Sequence, residues 1–488
     1  MNEVKKNYFF NLMFQVLNIV APLITMPYVA RVLGAAGVGE YSYTYSIVSY
    51  FLIVASLGTS LYGCREISNN YTNKGKKSQV FWEILIIRIC ASSVVTLGYI
   101  ILINLHKFSA LDKRLLLINV LYIIGTALDI SWLYQGEQRF DIITIFSLVN
   151  KIVTILLVFF LIKTHLDISK YVLIHASMYL INSVFYFIPL GNVVNLVSVK
   201  KLEIARHILP VLILLVPQIS KEVYSVLDKT MIGEFYSDRS LNGYYEQAVN
   251  IVSMSMTIIT SLNIVMMSKL SQDYSESKKE NVISNVKNSF QFVWFIGIPL
   301  CVGIVSVIDL FVPLFFGNGY EPVINLVYIL TLRILCIGIS NVIGIQYLIT
   351  LRRHRDFNIS ILVGLVANGF FNWILIPKYN VYGAAFATVI SEALVTITQL
   401  LFVKDEISMK NIFPKEIIKR VIVSGIMWLV LLKVKQILCV SLNNYFIILF
   451  ICIIIGGGIY IVIEIMLKDK MAREIKMLVM QLLQRKRG

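Results

Sequence analysis

Runs of about twenty apolar residues, each closed by a short polar break, recur from Tyr8 to Leu467, and this recurrence leaves the chain few ways to fold. A helix of that length crosses about 30 Å of hydrocarbon with its backbone paired internally, whereas an open strand or loop would strand N–H and C=O groups in lipid. The pattern predicts an all-α polytopic membrane protein of about 14 transmembrane helices. The expected spans are 8-31, 41-62, 82-104, 115-135, 141-163, 170-190, 208-233, 244-269, 289-311, 322-350, 358-376, 383-403, 421-441 and 445-467. Composition agrees, with 57% hydrophobic residues, 15% charged and a mean hydropathy of +0.76. A soluble chain is nearer 45–50% apolar and about 25% charged.

Lys and Arg set the orientation, because cytoplasmic loops retain positive charge. With the N-terminus inside, roughly 29 of the 44 basic residues fall in inner segments and about 7 in outer loops. Both termini are therefore expected in the cytoplasm. The net charge of +16 is mostly this topology signal and does not point to nucleic acid. Lys5 and Lys6 before an apolar run resemble a signal peptide. The run continues to about Val29 without a small-residue cleavage site, so it is read as a retained first helix.

A repeat organises the chain. Arg31-Val-Leu-Gly34 ends the first expected helix and Gly39-Glu-Tyr41 opens the next; Lys229-Thr-Met-Ile-Gly233 ends the seventh and Gly243-Tyr244 opens the eighth. Both leading helices carry two prolines, Pro22 and Pro27 in one, Pro210 and Pro217 in the other. Tyr134 to Phe140 joins helices four and five as Thr350 to Phe357 joins ten and eleven. The offset is six helices, an even number. Two six-helix bundles, 1-190 and 208-403, are thus expected to share one orientation about a pseudo-twofold along the membrane normal. Residues 191-207 would form a cytoplasmic linker, 404-467 two appended transmembrane helices, and 468-488 a basic cytoplasmic tail, amphipathic on the inner leaflet or simply solvated.

Most enzyme chemistry lacks its signature here. The sequence contains no G-x-x-x-x-G-K-[ST], no H-E-x-x-H and no G-x-S-x-G, the five His are scattered, and the six Cys have no paired spacing, so no cofactor, metal or disulfide framework is expected. His175 is read as a core or lipid-boundary residue. The expected outer loops reach only about ten residues, too few for a catalytic domain.

Charge inside the spans carries the functional signal, since a charged group at the bilayer centre costs roughly 2.5–3.5 kcal/mol on insertion scales unless it meets a partner or a wet cavity. Lys151 and Arg333 lie about ten residues from either end of their spans, and Lys221 at about one-third to half of its own; all three are candidates to line a cavity. Asp228 and Lys229 are adjacent, point about 100° apart, and are expected to pair with other helices. Glu83 and Arg88, near the inner surface on helix three, are read either as snorkelling or neutralising one another or, equally, as functional. Lys433 and Lys435 are read as snorkelling at a helix end. Asp129, Glu222, Asp228 and Glu246 are candidate groups for ion coupling or gating. A positive-leaning cavity suits an anionic substrate such as a phosphate or pyrophosphate.

Four segments together resemble one family. These are TMPYVARVLGAAGVGEYSYTYSIVSYF from Thr25 to Phe51, WLYQGEQRF from Trp132 to Phe140, LDKTMIG with GYYEQA from Leu227 to Ala248, and ANGFFNWILIPKYNVYGAAFATVISE from Ala367 to Glu392. In this order they resemble bacterial polysaccharide (O-antigen and capsule repeat-unit) flippases of the multidrug, oligosaccharidyl-lipid and polysaccharide exporter superfamily. Met266-Met267-Ser268-Lys269 departs from that family's pattern, in which Pro often precedes the basic residue ending helix eight.

The resemblance implies two bundles around a V-shaped cavity, alternating access, and movement of undecaprenyl-pyrophosphate-linked oligosaccharide from the inner to the outer leaflet of the cytoplasmic membrane. It implies Arg31, Lys151, Lys221, Lys229 and Arg333 as cationic substrate-binding residues. It also implies glycosyltransferases and a polysaccharide polymerase as partners in the same pathway. The alternatives are a cation-coupled small-molecule exporter of the same architecture and a polytopic glycan polymerase.

Overall fold

The computed structural model describes residues 3–473 apart from 277 and 443, together with Met477. Most of the expected basic tail therefore lies outside the described residues. Those residues form helices and no strands. In chain order the helices are α1 (Glu3–Ser56), α2 (Thr59–Asn69), α3 (Lys74–Leu105), α4 (Ala110–Leu128), α5 (Ser131–Gly136), α6 (Phe140–Leu161), α7 (Ile168–Phe185), α8 (Leu190–Val193) and α9 (Ala205–Phe235). They continue with α10 (Ser240–Thr260), α11 (Leu262–Ser275), α12 (Lys279–Phe316), α13 (Glu321–Leu330), α14 (Leu332–Ser340), a π-helical stretch Asn341–Ile349, α15 (His354–Val403), α16 (Met409–Ile412), α17 (Glu416–Ser441) and α18 (Tyr445–Met466).

Among the described residues ten helices are long and apolar enough to cross a membrane, or eleven with α9, which is bent by 46° between Ala205–Ser220 and Glu222–Phe235. The protein is a multi-pass all-α membrane protein. The expected number of fourteen is not established by this count, for a physical reason. Val20–Asn69 and His354–Val403 are each 50 residues long, well over twice the length one span needs, and each contains a break. In α1 the break is Gly34, with φ +70° and ψ 176°, a left-handed conformation open to glycine. In α15 it is Asn380, with φ +46°, just after Pro377. There the chain doubles back so tightly that Gly383 approaches the Leu375 carbonyl. The expected eighth span is likewise divided, between α10 and α11 at Ser261.

The chain divides into two compact units, Met1–Glu246 and Gln247–Gly488. In the first, α1 packs on α3, α4, α6 and α9, and α4 packs on α7. One of its apolar cores gathers Phe81, Ile84, Trp132, Tyr134 and Val194. Another gathers Tyr43, Val48, Tyr99, Ile123 and Ala176. In the second unit α12 packs on α17 and α18 through Phe295, Met427, Leu431, Ile448 and Tyr460. Two ion pairs brace that packing: Arg420 to Asp469 at 3.0 Å, and Lys435 to Asp309 at 2.9 Å. Lys435 therefore has a protein partner instead of reaching free to a helix end.

Candidate functional site

The two turns related by the sequence repeat meet inside the first unit. A Cβ at Gly243 would lie 2.0 Å from the Ala35 carbonyl oxygen, and one at Gly39 1.6 Å from that of Arg239. Only glycine permits backbone to approach backbone so closely. That approach seats the N-terminal turn of α10 against α1 and brings the charges of α9 into register with both.

Asp228 and Lys229 on α9 face Tyr245 and Glu246 on α10. The Lys229 ammonium lies 2.6 Å from the Glu246 carboxylate, and the Tyr245 hydroxyl donates to Asp228. Two adjacent residues on one helix, about 100° apart, thus interlock with two adjacent residues on its neighbour. The Ser42 hydroxyl of α1 also donates to Glu246, at 2.6 Å. Thr230, one residue on, donates to Ser46 at 2.9 Å and lies 3.0 Å from the Tyr50 hydroxyl. Glu246 thereby joins α1, α9 and α10 in one polar cluster.

Arg239, in the turn between α9 and α10, closes the same end. Its guanidinium stacks 3.8 Å from the Tyr43 ring centroid and pairs with Asp112 at 2.8 Å and with Glu40 at 3.7 Å. It also donates to the Gly233 carbonyl at 2.6 Å. Tyr43 in turn donates to Glu234 at 2.6 Å. Turns from three stretches of chain, near residues 40, 112 and 239, are thus tied through one planar cation, a geometry that arginine supports and lysine does not.

Glu83 and Arg88 do not neutralise one another, which corrects the sequence expectation. They lie five residues apart, at the wrong helical spacing for a pair on one face, and each turns to a different neighbour. Glu83, fully buried, accepts from Arg206 and His207 at 2.7 Å each and from the Glu203 backbone at 2.6 Å. The Tyr62 hydroxyl lies 2.8 Å from the other His207 nitrogen. Glu83 therefore anchors the first turn of α9, and Glu203 just before it, to α3. Arg88 is 2% exposed. It donates to the Thr126 carbonyl at 2.6 Å, reaches Thr59 and Ser60, and pairs with Asp129 at 3.5 Å.

The remaining candidates separate. Arg31 is exposed on α1, Lys151 half-buried on α6, and Glu222 half-buried on α9. Lys221 lies on α9 with its side chain outside those described. In the second unit Arg333 pairs with Glu392 at 3.1 Å, between α14 and α15. The π-helical stretch that follows α14 places Gln346 2.9 Å from Asn263. The structure thus gathers Asp228, Lys229 and Glu246 into one cluster, while Asp129 pairs with Arg88 and Arg333 with Glu392. His175 is tucked among Tyr41 and Tyr171, with ring centroids 5.7 and 4.5 Å away.

Arg239 escaped the sequence reading, because it stands in a polar turn where a cation is unremarkable and its partner Asp112 is 127 residues away. The one signal available was its place between the two halves of a repeat motif.

The arrangement of helices is that of solved transporters. The protein titled lipid II flippase MurJ, inward closed conformation, superposes with a TM-score of 0.76 at 16% identity, over 95% of this chain and 99% of that one. An inward-facing multidrug resistance MATE family transporter of the MOP superfamily superposes with a TM-score of 0.61 at 12% identity, over 80% and 94%. The fold is therefore of the MurJ and MATE type. Residues 4–268, more than half of the chain, match the polysaccharide biosynthesis protein family, and the chain belongs to that family. The relative named "Putative O-antigen transporter" from Escherichia coli (strain K12) is 23% identical over 83% of this chain and 97% of its own length. A protein of the same name from Shigella dysenteriae is 18% identical over 82% and 100%.

Proposed function

We propose that this chain is a flippase that carries undecaprenyl-pyrophosphate-linked oligosaccharide repeat units from the inner to the outer leaflet of the cytoplasmic membrane, for surface polysaccharide biosynthesis. The observation that carries this reading is similarity to O-antigen transporters along nearly their whole length, on a chain of the polysaccharide biosynthesis family. Transport proceeds by alternating access between six-helix bundles at 1-190 and 208-403, joined by the linker 191-207, with helices of 404-467 appended and both termini cytoplasmic. Glycosyltransferases supply the substrate and a polymerase consumes it.

Arg31, Lys151 and Lys221 attract the anionic pyrophosphate or acidic sugars. A cation in a water-filled cleft with low-dielectric walls acts over a longer range than in bulk water. Lys229 and Arg333 are engaged with Glu246 and Glu392, and each meets substrate when its pair opens. Asp228, Lys229 and Glu246 serve as a gate, with Glu222 beside them as a further ionisable group on α9. A proton or sodium ion arriving at such carboxylates would loosen their pairs.

The test is deletion of the gene with an assay for lipid-linked repeat units exposed on the outer leaflet. Loss of exposure with accumulation inside is expected. Normal surface polysaccharide, no compensating flippase and new drug sensitivity would establish the exporter instead. At residue level, Lys151→Ala and Lys221→Ala are expected to impair export at normal protein levels. Wild-type export by both would remove the cationic cavity from the mechanism.

A further inference from the structure

In the first unit a cavity of about 260 Å³ opens between the end of α4, α5, the start of α6 and the end of α7. This is below the roughly 300–1,000 Å³ of pockets for drug-sized ligands, a size for one ring and not for a chain. Its polar groups include the Asp129 carboxylate, Asn182 and Gln135, and its aromatic walls are Phe140, Tyr179 and Tyr186.

The electrostatics of this cavity select against ions. Asp129 already faces the Arg88 guanidinium at 3.5 Å, so a cation would meet no uncompensated negative charge and an anion no uncompensated positive charge. The remaining hydrogen-bonding capacity is mixed, with acceptor capacity on Asp129 and both donors and an acceptor on the Gln135 amide, which suits hydroxyl groups that donate and accept. Asn182 donates to the Tyr186 hydroxyl at 3.2 Å, while its own Oδ1 is buried and has no hydrogen-bond partner among the described residues. One Asp129 oxygen accepts from the Ser131 backbone at 2.9 Å, and a carboxylate has capacity for more. A buried amide oxygen left unmatched is costly, so a small turn of the Asn182 side chain that brings it to a ligand hydroxyl in the cavity is favoured. The fitting ligand is neutral, rich in hydroxyl groups, and apolar on one face so that it can lie against an aromatic wall.

From this geometry we infer that the cavity is a subsite for one uncharged sugar ring of the transported saccharide, held by Asn182 and Asp129 against Tyr179 and Tyr186. The inference rests on the flippase reading and assigns recognition of the glycan to the first unit, apart from the cations that attract the pyrophosphate. Asp129 then serves as a hydroxyl acceptor, with Arg88 holding it in place.

The experiment uses the full chain in cells that make radiolabelled lipid-linked saccharide. A photo-crosslinking residue is introduced as Gln135→p-benzoylphenylalanine, with Lys151→p-benzoylphenylalanine as reference and Leu97→p-benzoylphenylalanine as an exposed control on α3. After irradiation, mild acid cleaves the bond between sugar and phosphate, so label stays on the chain only where the sugar itself was captured. Retained sugar label at position 135 above that at 97 is expected, and Asn182→Ala should lower it roughly fivefold, the weight of one neutral hydrogen bond. Label at 135 no higher than at 97, while 151 captures substrate, overturns the subsite and leaves the flippase intact. Capture at 135 that Asn182→Ala leaves unchanged also overturns it, as does a thermal shift by sodium that disappears in Asp129→Asn. Failure of capture at every position, with normal export in the deletion strain, removes the flippase reading and the subsite with it.

Discussion

Arg88 with Asp129 and Lys229 with Glu246 are two cation–carboxylate pairs of the same unit, and they are built differently. Arg88 is 2% exposed and is held by the Thr126 carbonyl, Thr59 and Ser60 as well as by its acid. Lys229 and Glu246 remain 18% and 20% exposed, and their contact is one short ammonium–carboxylate bridge shared with the Ser42 hydroxyl. A planar guanidinium with several fixed acceptors is a structural joint, whereas a flexible ammonium on a partly wet carboxylate is a contact that can part and re-form. Burial of the cation and the number of acceptors that hold it, more than the presence of charge, distinguish the two pairs.

Removing the joint should show the largest effect. Arg88→Ala leaves Asp129, itself 20% exposed, without its counter-charge and the buried Thr126 carbonyl without its donor, a cost between that of an exposed pair and the about 3–5 kcal/mol of a pair buried on both sides. A marked fall in melting temperature, or loss of the monodisperse peak in gel filtration, is the expected result. Adding Asp129→Asn should recover part of the loss, and a double-mutant cycle measures the coupling. An Arg88→Ala protein as stable as the wild type would erase the distinction between the two pairs.

Next in size is the contact that lets the second pair form. Gly243→Val places side-chain carbons where the Ala35 carbonyl stands, and overpacking of this kind costs about 1–3 kcal/mol or more. The melting temperature should fall, and crosslinking between cysteines introduced at Ser42 and Glu246 should drop relative to the same pair on the Gly243 background. Unchanged crosslinking would mean that α10 does not depend on this approach.

Arg239→Lys tests an intermediate case. It keeps the charge yet loses the flat stacking on Tyr43 and the fork shared between Asp112 and Gly233, contacts of which the cation–π share alone is about 0.5–2 kcal/mol. A smaller loss of stability than in Arg88→Ala is expected, together with altered export. The smallest structural effect belongs to Lys229→Ala, at about 1 kcal/mol or less for a partly exposed pair. Its expected signature is reduced export at nearly normal stability. The charge exchange Lys229→Glu with Glu246→Lys should restore more export than either single change. If Lys229→Ala destabilises the protein as much as Arg88→Ala, the two pairs are equivalent and the gate is misassigned.

Much of the architecture was legible because lipid enforces a simple rule, an apolar helix wherever the chain crosses. Helix positions such as α6 and α18 follow closely from hydropathy alone. The glycine punctuation read from the sequence holds at Gly34, where α1 breaks, and not at Gly233, through which α9 continues to Phe235. Partner choice was not legible. Glu83 and Arg88 look like a natural local pair in the sequence, yet Glu83 reaches His207 and Arg206, while Arg88 reaches Asp129. Helix rotation and the path of the segment before α9 decide which way each side chain faces, and neither is written in the spacing of two residues. The cavity beside Asn182 was hidden for the same reason, because serines and tyrosines in a span read as ordinary helix-packing residues until three helix ends converge on one space.

The sequence by itself determined an all-helical, many-times-spanning chain, with charges that had to be answered inside the membrane, because hydrocarbon tolerates neither open backbone nor solitary ions. Tertiary structure alone decided how they are answered. Backbone contact at Gly39 and Gly243 sets the register of α9 and α10, and that register matches Lys229 to Glu246 and Asp228 to Tyr245. Coulomb attraction and hydrogen bonding act over a few ångströms, so residues hundreds of positions apart become partners only once the packed helices bring them there.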